Sequence, residues 1–275
     1  MFREHTAKNE NRPETFGDSK TRWAFFLSRN TGLLLGLALI VLASGVIGFA
    51  FSRPGVFACY WRTEDCDFCY AVAALRFADG TMSSGFIEHP GYPLIQLMSW
   101  FYKILSRLRV LDGASYAVLA ADPDPLLRIK AYVTAAWFLS ALIYLAIVLL
   151  VYQFARLLAG SNVVGFAFAI IAAVSPSIWQ FILIIRPESL SALFGFASMF
   201  FIFKAVRSSD YRAYFLFFLT SSIFLPLAIL TKFDALPLLG IVPLALLIGK
   251  DVPASRLPPG GLRLALILLL AANLW

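Results

Sequence analysis

The sequence predicts an all-α protein, a polytopic transmembrane helical bundle of about seven spans with amphipathic interfacial helices in its first outer loop. Three observations predict it. The 275 residues are 60% hydrophobic and only 14% charged, with a mean hydropathy of +0.79, whereas a soluble domain is nearer half apolar and about a quarter charged. The excess is gathered into long uncharged blocks. Lys and Arg fall on alternate connections between those blocks, as in a chain that crosses a membrane repeatedly.

Residues 31–51 hold no charge in 21 positions, and 131–155 and 162–185 are two further uncharged runs. Runs of about 18 or more apolar residues are read as membrane spans. Blocks 189–206, 213–231 and 235–249 follow; the first carries Lys204, whose stem can snorkel, and the last is short. A seventh block, 264–275, is still apolar at Trp275. Its 12 residues are too few to cross a hydrocarbon core of about 30 Å at about 1.5 Å per residue. The expectation is therefore an N-terminal piece of a longer protein. The first block exceeds the usual apolar core of a signal peptide and follows a long polar stretch, so it reads as an uncleaved anchor.

Sidedness follows from the cations. Residues 1–30 contain Arg3, Lys8, Arg12, Lys20, Arg22 and Arg29 and are read as a cytoplasmic tail of an inner (plasma) membrane protein. Alternation then puts Arg156, the trio Lys204, Arg207 and Arg212, and the trio Lys250, Arg256 and Arg263 on that same side. The transmembrane domain, 31–275, has its long outer loop at 52–130, and the tight outer turns carry only Arg186 and Lys232 as cations. The net charge of +7 is thus assigned to orientation and to contact with membrane lipids, anionic ones above all. No basic–aromatic array points to nucleic acid.

The outer loop opens with TEDCDFCY, residues 63–70. A helix over 65–79 follows from Phe68, Val72, Leu75 and Ala78 at helical spacing, with Gly80 as its stop. A second helix, 93–111, places Leu94, Leu97, Met98, Phe101, Ile104, Leu105 and Leu108 on one face and Lys103, Arg107 and Arg109 on the other, the pattern of a helix lying in the interface plane. Between them FIEHPGYP, 86–93, reads as an extended turn.

Each polar residue has a plain reading beside a functional one. Asp65 at a helix start is favoured by capping and by the dipole alone. Glu88 and His89, taken singly, read as solvated turn residues, and Arg186 and Lys232 as interfacial anchors. Their convergence on one membrane face favours a site, because charges beside hydrocarbon are costly and tend to be functional. Cys66 and Cys69 form a CxxC with Cys59 left over; a zinc site needs more ligands than the neighbourhood offers, and the thiols read as incidental.

In this order the motifs resemble those of the GT-C glycosyltransferases, nearest the protein-mannosyltransferase-like and lipid A aminoarabinose-transferase-like branch. The residues that carry the resemblance are Asp65, Asp67 and Tyr70, then Gly80, then His89-Pro90 with Pro93-Leu94. Arg186-Pro187-Glu188 and Leu230-Thr231-Lys232 extend it through later spans. Cys66 separates the two acids that are often adjacent in the family, and Pro90-Gly91 stands where a double proline is usual.

The resemblance implies transfer of a sugar from a polyprenyl-phosphate donor to an acceptor lipid, glycan or protein on the extracytoplasmic face, in the cell envelope. Asp65 is then the general base, with Asp67 the alternative. Lys232 and Arg186 hold the donor phosphate, and Glu188, His89, Glu88 and Tyr70 line the substrate site. Neither a metal nor another cofactor is expected, since side chains can meet the phosphate charge. The competing class is a non-enzymatic polytopic protein, a transporter or assembly subunit. Against a transporter stand the absence of Asp and Glu inside the spans and of an internal repeat.

Overall fold

The computed structural model describes residues 19–53, 67–81, 91–232 and 235. Nine α-helices, with no strand among the described residues, follow in order: α1 (Ser19–Phe51), α2 (Asp67–Ala78), α3 (Tyr92–Arg107), α4 (Tyr116–Ala120), α5 (Pro125–Ala159), α6 (Asn162–Val174), α7 (Pro176–Trp179), α8 (Pro187–Arg207) and α9 (Tyr211–Thr231). A 3₁₀ turn, Gln180–Leu183, joins α7 to the chain before α8. Helices α1, α5, α8 and α9 are each long and apolar enough to cross a membrane. The chain is an integral membrane protein, and the sixth and seventh expected blocks, apart from Ala235, lie outside the described residues.

Helix α5 is the axis of the bundle. Asp124 caps it by accepting from the Leu127 N–H at 3.0 Å, Pro125 opens its first turn, and Gly160 closes it at φ 66°. Contacts along α5 fix the direction of its neighbours. The Tyr152 hydroxyl donates to the Gly32 carbonyl at 3.0 Å, and Phe138 stacks on Phe51 at 4.8 Å, so α1 runs antiparallel to it. Phe154 meets Phe203 at 5.3 Å, and the Arg207 guanidinium donates to the Leu157 carbonyl, so α8 runs parallel to it. Helix α9 returns antiparallel to α8 along a polar seam. The Ser191 hydroxyl donates to the Ala228 carbonyl at 2.9 Å, and Ser198 and Ser221 pair at 2.8 Å. Between apolar helices such small hydroxyl residues allow close approach and add hydrogen bonds of roughly 0.6 kcal/mol each.

The uncharged run 162–185 is expected as one helical span, and here the structure differs. Helix α6 stops after 13 residues, at Val174. Pro176 has no N–H to continue the ladder, and Ser175 is extended at ψ 122°. The freed carbonyls find other donors: the Ser175 N–H reaches the Ala172 carbonyl at 3.3 Å, and the Tyr144 hydroxyl reaches that of Ala173 at 2.8 Å. The run still traverses the bundle, from Gly165 beside Tyr152 to Ile185 beside α2. Val174 and Pro176 stay exposed at the break, which is tolerated because those donors satisfy the freed carbonyls.

Helices α2 and α3 pack over the first half of α5 in one core that includes Tyr70, Leu75, Met98, Tyr102, Tyr132 and Trp137. Asp79 ties the end of α2 to α4 by accepting from the Ser115 hydroxyl at 3.1 Å and the Ala117 N–H at 3.2 Å. The expected helix 65–79 and its stop are matched by α2 and by Gly80 at φ 70°. The second expected helix forms over Tyr92–Arg107 and ends before Leu111. Leu94, Ile95, Met98, Ser99 and Tyr102 are inside, whereas Ile104 and Leu108, on the apolar face expected to lie in the interface, are 52% and 66% exposed. Tyr102 wins the inward position because its hydroxyl reaches the Tyr132 carbonyl at 2.9 Å and its ring meets that of Tyr132 at 5.4 Å.

Gly165 sets how close α5 and α6 come. A Cβ there would lie 2.8 Å from the Tyr152 carbonyl oxygen and 2.9 Å from the Arg156 Cβ. Gly165→Val is expected to lower stability by about 1–3 kcal/mol, read as an earlier thermal unfolding transition in detergent. A second expectation concerns acid. The Asp124 N–H and then the Arg128 guanidinium hold the Asp122 carboxyl below its ordinary range. Its contribution is therefore full above that range and is lost as pH falls through the lowered value. Asp122→Asn should flatten this part of the acid limb in melts taken across pH.

Candidate functional site

One end of the bundle gathers the polar residues that the sequence singles out. Asp67 opens α2 and is only 3% exposed. Its Oδ2 accepts from the Trp137 indole N–H at 3.1 Å, and its Oδ1 from the Ile185 N–H at 3.2 Å. This one carboxylate thus joins α2 to α5 and to the chain just before α8. Charge-assisted bonds of this kind contribute about 1.5–3 kcal/mol each. The field of Asp67 also reaches Tyr102: burial first, then Tyr132 and Asp67, push the Tyr102 phenol well above its usual value and keep it protonated.

From Ile185 the chain runs directly into the next part of the site. Arg186, half-buried, is the N-cap residue of α8, and its carbonyl accepts from the Ser189 hydroxyl at 2.9 Å. Pro187 occupies the first turn, where its missing N–H costs nothing. Glu188 follows in that turn, and its Oε1 pairs with Lys232 Nζ. Lys232 is the extended residue that ends α9. The antiparallel α8–α9 pair therefore sets an acid at a helix N-terminus against a base at a helix C-terminus. Each charge sits where its own helix dipole favours it. The two side chains are 31% and 28% exposed, and the second carboxylate oxygen of Glu188 is buried with no hydrogen-bond partner among the described residues.

Tyr70, one turn along α2 from Asp67, is 4% exposed and closes the site from the α3 side. Gly91 at the N-cap of α3 lies against it. A Cβ on Gly91 would stand 3.0 Å from Tyr70 Cε1 and 3.7 Å from Pro187 Cβ. The chain between α2 and α3 thus rejoins the fold beside Tyr70 and the α8 N-terminus.

Of the candidate residues, Asp67, Tyr70, Arg186, Glu188 and Lys232 are brought to this one end. Asp65, Glu88 and His89 lie outside the described residues. Arg156 and Arg207 stand at the opposite end of the bundle. The 20 residues of α5 separating Trp137, which meets Asp67, from Leu157, which meets Arg207, span about 30 Å, the thickness of a hydrocarbon core. Trp137 and the Ile185 N–H were not among the sequence candidates. A tryptophan inside an otherwise nonpolar block was the available signal for the first, since a buried indole N–H usually finds an acceptor. Nothing in the sequence marks a backbone N–H. Among the described residues no three His, Cys, Asp or Glu side chains gather as a metal ion requires.

This arrangement sets the Lys232–Glu188 pair at the same end of the bundle as a fixed, buried carboxylate. Residues 128–275, more than half of the chain, match the family model described as dolichyl-phosphate-mannose-protein mannosyltransferase. No curated protein and no solved structure matches.

Two substitutions probe the geometry. Asp67→Ala leaves the Trp137 and Ile185 N–H groups without their acceptor and should cost about 3 kcal/mol, with Asp67→Asn milder, in thermal melts. A double-mutant cycle of Glu188→Gln and Lys232→Met should give a coupling energy of about 1 kcal/mol.

Proposed function

The chain belongs to the dolichyl-phosphate-mannose-protein mannosyltransferase family and is a membrane glycosyltransferase of the GT-C type, and on that premise we propose that it moves a sugar from a polyprenyl-phosphate donor to an acceptor lipid, glycan or protein. The site end of the bundle faces the extracytoplasmic side of the plasma (inner) membrane, and the N-terminus lies in the cytoplasm. The observation that carries the reading is the unbroken run of contacts from Asp67 through Ile185–Glu188 to Lys232. It draws an acid-bearing loop and the ends of two membrane helices into one place.

A membrane-surface site suits such a donor, whose tail stays in lipid while its phosphosugar head meets the acceptor. The acceptor oxygen attacks the anomeric carbon, and a new glycosidic C–O bond forms as the bond to the phosphate oxygen breaks. The electron pair leaves with the polyprenyl phosphate, and the acceptor proton passes to a carboxylate. Asp65 takes that proton. Asp67, with both oxygens already bound by N–H groups, positions the loop that carries Asp65 and is the alternative base. Lys232 and Arg186 hold the phosphate, whose negative charge grows as the bond breaks. Glu188 then exchanges its pairing with Lys232 for a hydroxyl of the sugar, which supplies the donor that its buried oxygen lacks among the described residues. Tyr70, Glu88 and His89 complete the sugar-binding wall.

Purified protein assayed with polyprenyl-phosphate sugars should show transfer. Asp65→Asn and Lys232→Ala should each lose roughly 10²–10⁴-fold in kcat/KM. Asp67→Asn should lose activity in step with its stability. Full activity in all three would overturn the assignment, and transport of solute without sugar transfer would favour a carrier.

A further inference from the structure

A groove of about 490 Å³ lies between α3 and the first half of α5, and none of the candidate site residues lines it. Phe101 and Leu105 of α3 form one wall, and Ala131, Ala135 and Phe138 of α5 the other. Val110 and Leu111 cover its outer end, and Lys130 is the single charged group among the described residues that line it. The size is that of a small-molecule site, but apart from Thr134 and Lys130 the lining is apolar. Its surroundings are too: Trp100 and Ile104 on α3 and Leu108 at its C-cap are more than half exposed, and Leu127 and Phe138 on α5 are 67% and 53% exposed. An apolar surface this extensive beside membrane-crossing helices faces lipid.

Depth and charge say which part of a lipid goes where. Trp137 marks the edge of the 30 Å segment of α5, and Phe138 stands beside it. Lys130 is seven residues nearer the start of the helix, about 10 Å further out, which is headgroup depth. Among the described residues Lys130 makes no ion pair, whereas Arg128 two positions before it is bound by Asp122. A hydrocarbon chain at Phe138, Ala135 and Phe101 would therefore bring an anionic headgroup to an uncommitted ammonium.

We infer that the α3–α5 groove is a seat for an anionic phospholipid of the surrounding leaflet, one acyl chain lying along Phe101, Ala135 and Phe138 and its phosphate against Lys130. The seated lipid fills the gap between α3 and α5. It thereby steadies the helix whose N-terminus, Gly91, abuts Tyr70 and Pro187 at the candidate site. The inference does not depend on the sugar-transfer reading.

The test is native mass spectrometry of the purified full chain, titrated with phosphatidylglycerol and, separately, with phosphatidylcholine. Wild type should retain one phosphatidylglycerol about fivefold more strongly than phosphatidylcholine, the effect of one cation at a charged lipid. Lys130→Glu should abolish that preference, and Ala131→Trp, which fills the groove from its exposed side, should remove retention of both lipids. Lys130→Gln replaces the charge reversal if Lys130→Glu does not fold. Equal retention of the two lipids by wild type, or undiminished phosphatidylglycerol on both groove variants, would overturn the inference. Displacement of phosphatidylglycerol by farnesyl phosphate, lost in Ala131→Trp, would overturn it differently, by giving the groove to an isoprenoid chain.

Discussion

A single enclosed carboxylate organises the site end of this bundle. Asp67 starts a short amphipathic helix, yet it points into the protein, where burying a charge is costly unless donors surround it. Those donors come from two distant elements, the Trp137 indole on α5 and the Ile185 amide before α8. Neither can move far without stranding a charge in a low-dielectric region. The outer helices are therefore fastened to the membrane bundle at a point rather than resting on it. Tyr70, Gly91 and Pro187 pack around that point and inherit its rigidity.

The second constraint is helix polarity. Serine contacts zip α8 to α9 along their length, and the antiparallel pairing then forces an N-terminus beside a C-terminus. Opposite partial charges meet there before any side chain is considered. Glu188 and Lys232 extend that pattern outward. Such a pair keeps a cation at this end of the bundle without isolating it.

Much of this was legible in the residues. Long apolar runs, free of charge but for Lys204 in the third, revealed α1, α5, α8 and α9, because hydrocarbon disfavours charge along the length of a span. The shared location of Asp67, Arg186, Glu188 and Lys232 at one end agrees with the alternation of cations between connections. Three features were hidden. The break at Ser175-Pro176 lay inside a run of suitable length, and it is tolerated only because Tyr144 supplies a hydroxyl from another helix. The inward position of Tyr102 on α3 was hidden because its burial depends on the Tyr102–Tyr132 contact with α5, which no local pattern shows. The partners of Asp67 are 70 and 118 positions away, and local patterns carry no information at that range.

Helix α5 is longer than a bilayer requires. Its 35 residues extend about 52 Å, against about 30 Å of hydrocarbon, and the surplus stands up as a mast on which α2, α3 and α4 are mounted. A mast of set length fixes altitude. The height of α2, α3 and α4 along the bundle axis is thus set by the chain itself rather than by the surrounding lipid.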